Sequence, residues 1–493
     1  MGRRFLKDLL ILSFSSLFMR GVGVVWSGYL SRRMGAGAMG LYSVVSNLYG
    51  FAVTLAVAGI GLAVTRLVSE REGDGDRAGS FAVVSRALLF VLVSGGGVAC
   101  LLLFFAHPVG RFLLGDAATA PLVRALALPV FPIAVSAVFT GYFTARRRAW
   151  INVLSGVAEL GLRILLTLRF LSPVPANEYG AVLRLLLGGG SAEAISALLL
   201  CLAYLADRRS ARAGNAAGIA RRILGISIPI ALSGCLRAGL STLGHLLIPY
   251  SLCKSGLDRA HALSSYGTLA GMALPVVLYP MAILSAGAAL LVPEFARIRG
   301  DREATVSLLR RALSLTLGFS LGCFAILSSF SAPLGRLLFG SDDAGRFILY
   351  LSWIVPIMFL DHITDAALKG IGEQVAVMWI NIADSSLTVC LILLLLPRMG
   401  IVGYILMIAL TEIFNFACSF FRLARATGFS PAPLRVVTPL FFSLLAFLFA
   451  RTFLAAGARS LPALAVGGAA TLSLYLLPFL LFGRGKRKNA PRP

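Results

Sequence analysis

The chain has 493 residues, 58% hydrophobic and only 13% charged, with a net charge of +24 and a mean hydropathy of +0.88. A soluble domain is nearer half apolar and a quarter charged, so this composition excludes a single large soluble core. The Lys and Arg residues are spread through short segments between apolar runs, which excludes a nucleic-acid-binding stripe and fits the positive-inside rule.

Apolar runs long enough to cross a ~30 Å hydrocarbon core recur from end to end. In lipid the backbone must satisfy its own hydrogen bonds, so these runs are predicted helices; the ~10-residue alternation of a membrane β-barrel is missing. The predicted spans are 9–30, 41–65, 81–106, 122–144, 150–171, 182–206, 223–250, 263–292, 312–331, 347–369, 375–396, 401–423, 434–453 and 461–482. The first is too long for a signal peptide and has no small-residue cleavage site. Of the Lys and Arg, 28 fall on the side holding both termini against 13 on the other, which predicts cytoplasmic termini of a multi-pass plasma-membrane protein. Six of the seven cysteines lie within spans, so no disulfide framework is expected.

In chain order, span 1 carries Arg20 about ten residues from either end, too deep for easy snorkelling. Span 5 carries Glu159 and Arg163, whose i,i+4 spacing predicts a local ion pair. Glu193 in span 6 has no local partner and could answer Arg20 or Arg184. Span 7 holds Arg237 and His245, the latter read as a satisfied structural histidine. Span 10 is the most polar, with Asp361, His362, Asp365 and Lys369; the two acids and the lysine share one face and are expected to line water. Asp384 in span 11, and Glu412 with Asn415 in span 12, continue that lining. An ionisable residue at mid-bilayer is costly and therefore a functional candidate.

An internal repeat is visible. Arg20 and Arg237 lie 217 positions apart, and Tyr42–Glu70 and Tyr266–Glu294 share a 28-residue spacing. The expectation is an all-α integral membrane protein. Two six-helix bundles, residues 1–210 and 211–430, would be related by a pseudo-two-fold axis, with two extra helices and a basic tail in 431–493. The loops are short and contain no P-loop and no HExxH or CxxC spacing, so neither an enzyme nor a cofactor or metal is expected.

The stretch Phe5-Leu6-Lys7, Arg20-Gly21, Leu30-Ser31-Arg32-Arg33-Met34-Gly35, Gly40-Leu41-Tyr42 and Gly59 through Glu70 resembles the polysaccharide-biosynthesis flippases. These are a branch of the multidrug/oligosaccharidyl-lipid/polysaccharide exporter superfamily. The resemblance is to the stage V sporulation protein B-like group, relatives of the lipid II flippases. It implies a flippase that moves a polyprenyl-pyrophosphate-linked saccharide across the membrane by alternating access, with spans 13 and 14 forming a groove for the lipid tail. Arg20 and Arg237 would hold the pyrophosphate, since a guanidinium fork matches phosphate oxygens and does not deprotonate; the alternative is that each is permanently paired with an internal acid. The acids would neutralise the cavity or couple transport to membrane potential, H+ or Na+. Competing readings are a drug or cation antiporter of the same superfamily, and an integral-membrane glycosyltransferase or polymerase. Expected partners are the lipid-linked oligosaccharide and membrane lipids, with the protein a monomer and no nucleic acid bound.

Overall fold

The computed structural model describes residues 3–173, 175, 177–208, 218–430, 434–455, 466–473 and 475. Most of predicted span 14, the basic tail and Arg209 lie outside the described residues. Every described regular element is helical: α1 (Arg3–Val57), α2 (Ile60–Gly73), α3 (Arg77–Phe104), α4 (Ala120–Ala145), α5 (Ala149–Phe170), α6 (Glu178–Arg208), α7 (Ile219–Lys254), α8 (Arg259–Tyr266), α9 (Met281–Arg297), α10 (Arg302–Ser329), α11 (Asp342–Ser352), α12 (Val355–Ile371), α13 (Gln374–Thr427) and α14 (Leu434–Ala455), with short helical turns between some of them. All seven cysteines are free.

Among the described residues, nine helices are long and apolar enough to cross a membrane, or ten when α11 and α12, bent by 55°, form one span. The count differs from the predicted fourteen for physical reasons. α1 and α13 are 55 and 54 residues long, about 80 Å each at 1.5 Å per residue, far more than one crossing needs. Each contains one non-helical glycine: Gly35 (φ 83°, ψ 169°) in α1 and Gly400 (φ 56°, ψ −133°) in α13. These backbone conformations are nearly closed to residues with a Cβ. A single glycine therefore joins predicted span 1 to span 2, and span 11 to span 12. Predicted span 8 is divided between α8, a π-helical stretch Gly267–Ala273, a short helix Leu274–Leu278 and α9.

The chain divides into two compact units, Met1–Met19 with Arg33–Gly267, and Arg20–Arg32 with Thr268–Pro493. In the first, α4 packs on α2, α3 and α6. Small residues bring the backbones close: a Cβ on Gly141 would stand 2.6 Å from the Gly61 carbonyl oxygen, and Thr65 Oγ1 donates to the Gly141 carbonyl at 3.2 Å. Tyr142, Phe139, Phe143 and Tyr204 fill the core beside this contact. In the second unit, α12 packs on α9, α10 and α13, and α14 lies on α10. Ser443 Oγ donates to the Leu321 carbonyl at 2.8 Å. Arg32, in the segment of α1 that belongs to this unit, donates to the carbonyls of Arg336, Leu337 and Leu338.

Local structure repeats between the units at an offset of 225. Gly75-Asp76-Arg77 recurs as Gly300-Asp301-Arg302, and both aspartates cap the next helix, accepting from Gly79 N at 2.8 Å and Ala304 N at 2.9 Å. Pro108-x-Gly110-Arg111 recurs as Pro333-x-Gly335-Arg336, each running into a five-residue π turn. Gly115 and Gly340 close those turns at φ 68° and 67°. Matching sequence has produced matching caps and turns, as an internal duplication requires.

Candidate functional site

In the first unit, α1, α2, α4, α5 and α6 line a cavity of about 620 Å³. On α5, Asn152, Ser155, Glu159 and Arg163 fall three or four residues apart, so they face one way. Arg163 Nη2 lies 2.5 Å from Glu159 Oε1 and 3.7 Å from Glu193 Oε2. The expected local ion pair is present. Glu193, whose side chain is 5% exposed, is answered by Arg163 rather than by Arg184. Arg184 instead donates to the carbonyls of Phe170 and Pro173, at 3.3 and 2.7 Å. Ser155 and Ser196 hydroxyls meet at 2.9 Å, and Asn152 Nδ2 donates to Thr140 O and Thr144 Oγ1. Asn152 Oδ1, Ser136 Oγ and Arg163 Nε are buried with no hydrogen-bond partner, so these lining residues retain hydrogen-bonding capacity. Two carboxylates share one guanidinium, leaving one negative charge in excess when both acids are ionised; a proton or a monovalent cation would balance it.

In the second unit, α12 and α13 form a polar ladder. Asp361 and Asp365, one helical turn apart, face Asn415 and Ser419, also one turn apart. Asn415 Nδ2 donates to Asp361 Oδ2 at 3.0 Å, and Ser419 Oγ to Asp365 Oδ1 at 3.2 Å. Lys369 Nζ reaches Asp365 Oδ2 at 3.8 Å. The shared face is as expected, but it is largely closed: Asp361 is 9% exposed and the Asp365 side chain 14%. The reason is that α13 covers it. His362 Nε2 lies 3.3 Å from Ser285 Oγ. Asp361 Oδ1, Asn415 Oδ1 and Asp384 Oδ1 are buried without a hydrogen-bond partner; Glu412 lies on α13, between Asp384 and Asn415. Among the described residues no group of three or more His, Cys, Asp or Glu is placed to hold a metal.

Arg20 and Arg237 are exposed, and neither forms a hydrogen bond or ion pair with another described residue. Arg20 belongs to the second unit, within electrostatic reach of His362; its neighbour Gly21 faces the Tyr279 ring. Arg237 stands on α7 in the first unit. His245 Nδ1 lies 3.0 Å from the Tyr266 hydroxyl, which satisfies it.

Outside the spans, two polar clusters tie helix ends together. Arg146 and Arg148, from the Arg146-Arg147-Arg148 turn, both engage Asp207, and the Tyr142 hydroxyl donates to it at 2.7 Å. Near the other end of α4, the Tyr179 hydroxyl donates to Asp116 at 2.5 Å and holds that carboxyl below the usual aspartate range. Sequence reasoning passed over Asn152, Ser155 and Ser196; their i,i+3 and i,i+4 alignment with Glu159 and Glu193 was the available signal.

A family model described as polysaccharide biosynthesis protein matches residues 5–299, and one described as MatE matches residues 229–394. Stage V sporulation protein B of Bacillus subtilis (strain 168) is 25% identical over 414 residues, covering 81% of this chain and 79% of that protein. The structure is similar to the inward closed conformation of the lipid II flippase MurJ, with a TM-score of 0.70 at 12% identity, covering 97% of this chain and 99% of that chain. The inward-facing conformation of a multidrug resistance MATE family transporter of the MOP superfamily gives a TM-score of 0.67 at 16% identity, covering 84% of this chain and 96% of that one. The fold is that of these multi-pass transporters.

Proposed function

This chain belongs to the polysaccharide biosynthesis protein family, and on that premise we propose that it is a flippase. It would carry a polyprenyl-pyrophosphate-linked saccharide, such as a lipid II-like precursor or a polysaccharide repeat unit, across the cytoplasmic membrane. Both termini would be cytoplasmic. Residues 1–210 and 211–430 would act as two lobes in alternating access, with 431–493 as the additional C-terminal helices and tail. The sequence repeat supports that lobe boundary, whereas the compact units divide at Gly267–Thr268, with Arg20–Arg32 counted in the second.

One observation carries the choice of an anionic cargo: Arg20 and Arg237 lie in apolar helices without an ion-pair partner among the described residues. The permanent-pair alternative needs such partners. Two guanidiniums suit a pyrophosphate, with two bidentate forks for its oxygens. The acids around Arg163 and along α12 would couple the cycle to H+, Na+ or membrane potential. A second reading, a cation antiporter, is favoured by the unbalanced carboxylate beside Arg163 and by the acid-rich ladder of α12. Vesicles reconstituted with the protein separate the two. Under an imposed potential or ion gradient, a lipid-linked saccharide should reach the opposite leaflet without ATP. Gradient-driven transport of an organic cation, with no saccharide movement, would favour the antiporter.

A further inference from the structure

At the start of the apolar stretch of α10, five exposed residues on one helical face line a groove of about 410 Å³: Ser307, Arg310, Arg311, Ser314 and Leu315. Their spacings of three and four residues place them within one arc of the helix. Neither arginine forms an ion pair among the described residues, and Glu303, the nearest acid along that face, pairs with neither. From Arg311 to Ser329 the helix runs about 27 Å at 1.5 Å per residue, close to the thickness of a hydrocarbon core. The arginines therefore stand level with lipid headgroups. Leu315, 74% exposed, lies one turn further into the apolar region.

We propose that this groove binds the phosphate of an anionic phospholipid from the membrane leaflet that faces this end of α10. The two guanidiniums offer charge and forked donors to phosphate oxygens. The serine hydroxyls can donate to the same group or to a glycerol headgroup, and Leu315 lies where an acyl chain would run. A free phosphate would satisfy the arginines but gain nothing from Leu315 or from the interfacial depth. The site is independent of Arg20 and Arg237, so its test is separate from that of the transport reading.

The test uses the full chain in neutral detergent micelles. Retention of phosphatidylglycerol and of phosphatidylcholine is titrated by native mass spectrometry. Phosphatidylglycerol should be held at lower concentration than phosphatidylcholine. Replacing both arginines (R310A with R311A) should raise the half-saturating phosphatidylglycerol concentration by about thirtyfold, as expected for two arginines at an anionic surface. The R310K/R311K pair should lose less, because the charge remains. Exposed Arg77, changed to alanine, should have no effect. R310Q/R311Q, which keeps side-chain bulk, serves if the alanine pair melts early. Retention unchanged in a folded double variant would overturn the proposal. So would equal weakening toward both lipids, or displacement of the phospholipid by an equimolar amount of inorganic phosphate.

Discussion

Replacing Arg146 by alanine removes the main cation facing Asp207. The two side chains are 10% and 15% exposed, so the carboxylate loses its partner in a largely desolvated place. Breaking a buried pair from one side costs about 3–5 kcal/mol. Two groups soften the loss: the Tyr142 hydroxyl remains 2.7 Å from Asp207, and Arg148 remains at 3.1 Å, although Arg148 is half exposed and contributes less. Arg146 also leaves Glu72, 3.6 Å from its Nε. The expected cost is therefore near the lower end, about 3 kcal/mol. Asp207→Asn should cost less, and the double variant should recover part of the sum, with a coupling of about 1–3 kcal/mol. The assay is reversible unfolding in mixed micelles across the full double-mutant cycle. Additivity within about 0.5 kcal/mol would refute the shared network.

Gly35→Ala should destabilise the protein by about 1–3 kcal/mol through backbone strain alone, because a Cβ there meets nothing within 4 Å. Gly50, helical and equally open, should instead tolerate alanine or gain up to about 1 kcal/mol; equal melting shifts in both variants would contradict this reasoning. Asp116 has a depressed folded pKa because Tyr179 donates to its carboxylate. Its contribution to stability is present above the unfolded value near 3.9 and disappears as pH falls through the lower folded value. Tyr179→Phe should therefore flatten the melting-temperature loss on acidification below about pH 4, and an unchanged acid profile would count against the assignment.

Much of the fold was legible because lipid enforces helices wherever apolar runs are long. The number of separate helices was not legible in the same way. Hydropathy drops around Arg32-Arg33 and around Pro397-Arg398, but nothing in composition says that a single non-helical glycine, Gly35 or Gly400, will kink the chain from one helix directly into the next. The repeat was readable at Arg20, Tyr42 and Glu70. It was stronger in the loops, where Gly-Asp-Arg at 75–77 and 300–302 share the cap geometry. At the site, the Glu159–Arg163 pair followed from spacing within one helix. The pairing of Glu193 with Arg163, and of Asp361 with Asn415, depends on how neighbouring helices face each other. Intrahelical spacing carries no such information.

The most direct test of the account is lipid-linked oligosaccharide binding by wild-type protein, Arg20→Ala and Arg237→Ala, each confirmed as folded by thermal melting. Losing one fork would leave a phosphate oxygen unpaired, at a cost of about 2–5 kcal/mol in a desolvated site. Each variant should therefore bind at least about 30-fold more weakly, with Arg20→Lys recovering part of the loss because charge without the fork is retained. Normal binding per folded molecule in both alanine variants, accompanied by a lowered melting temperature, would show that the two arginines serve structure and not cargo.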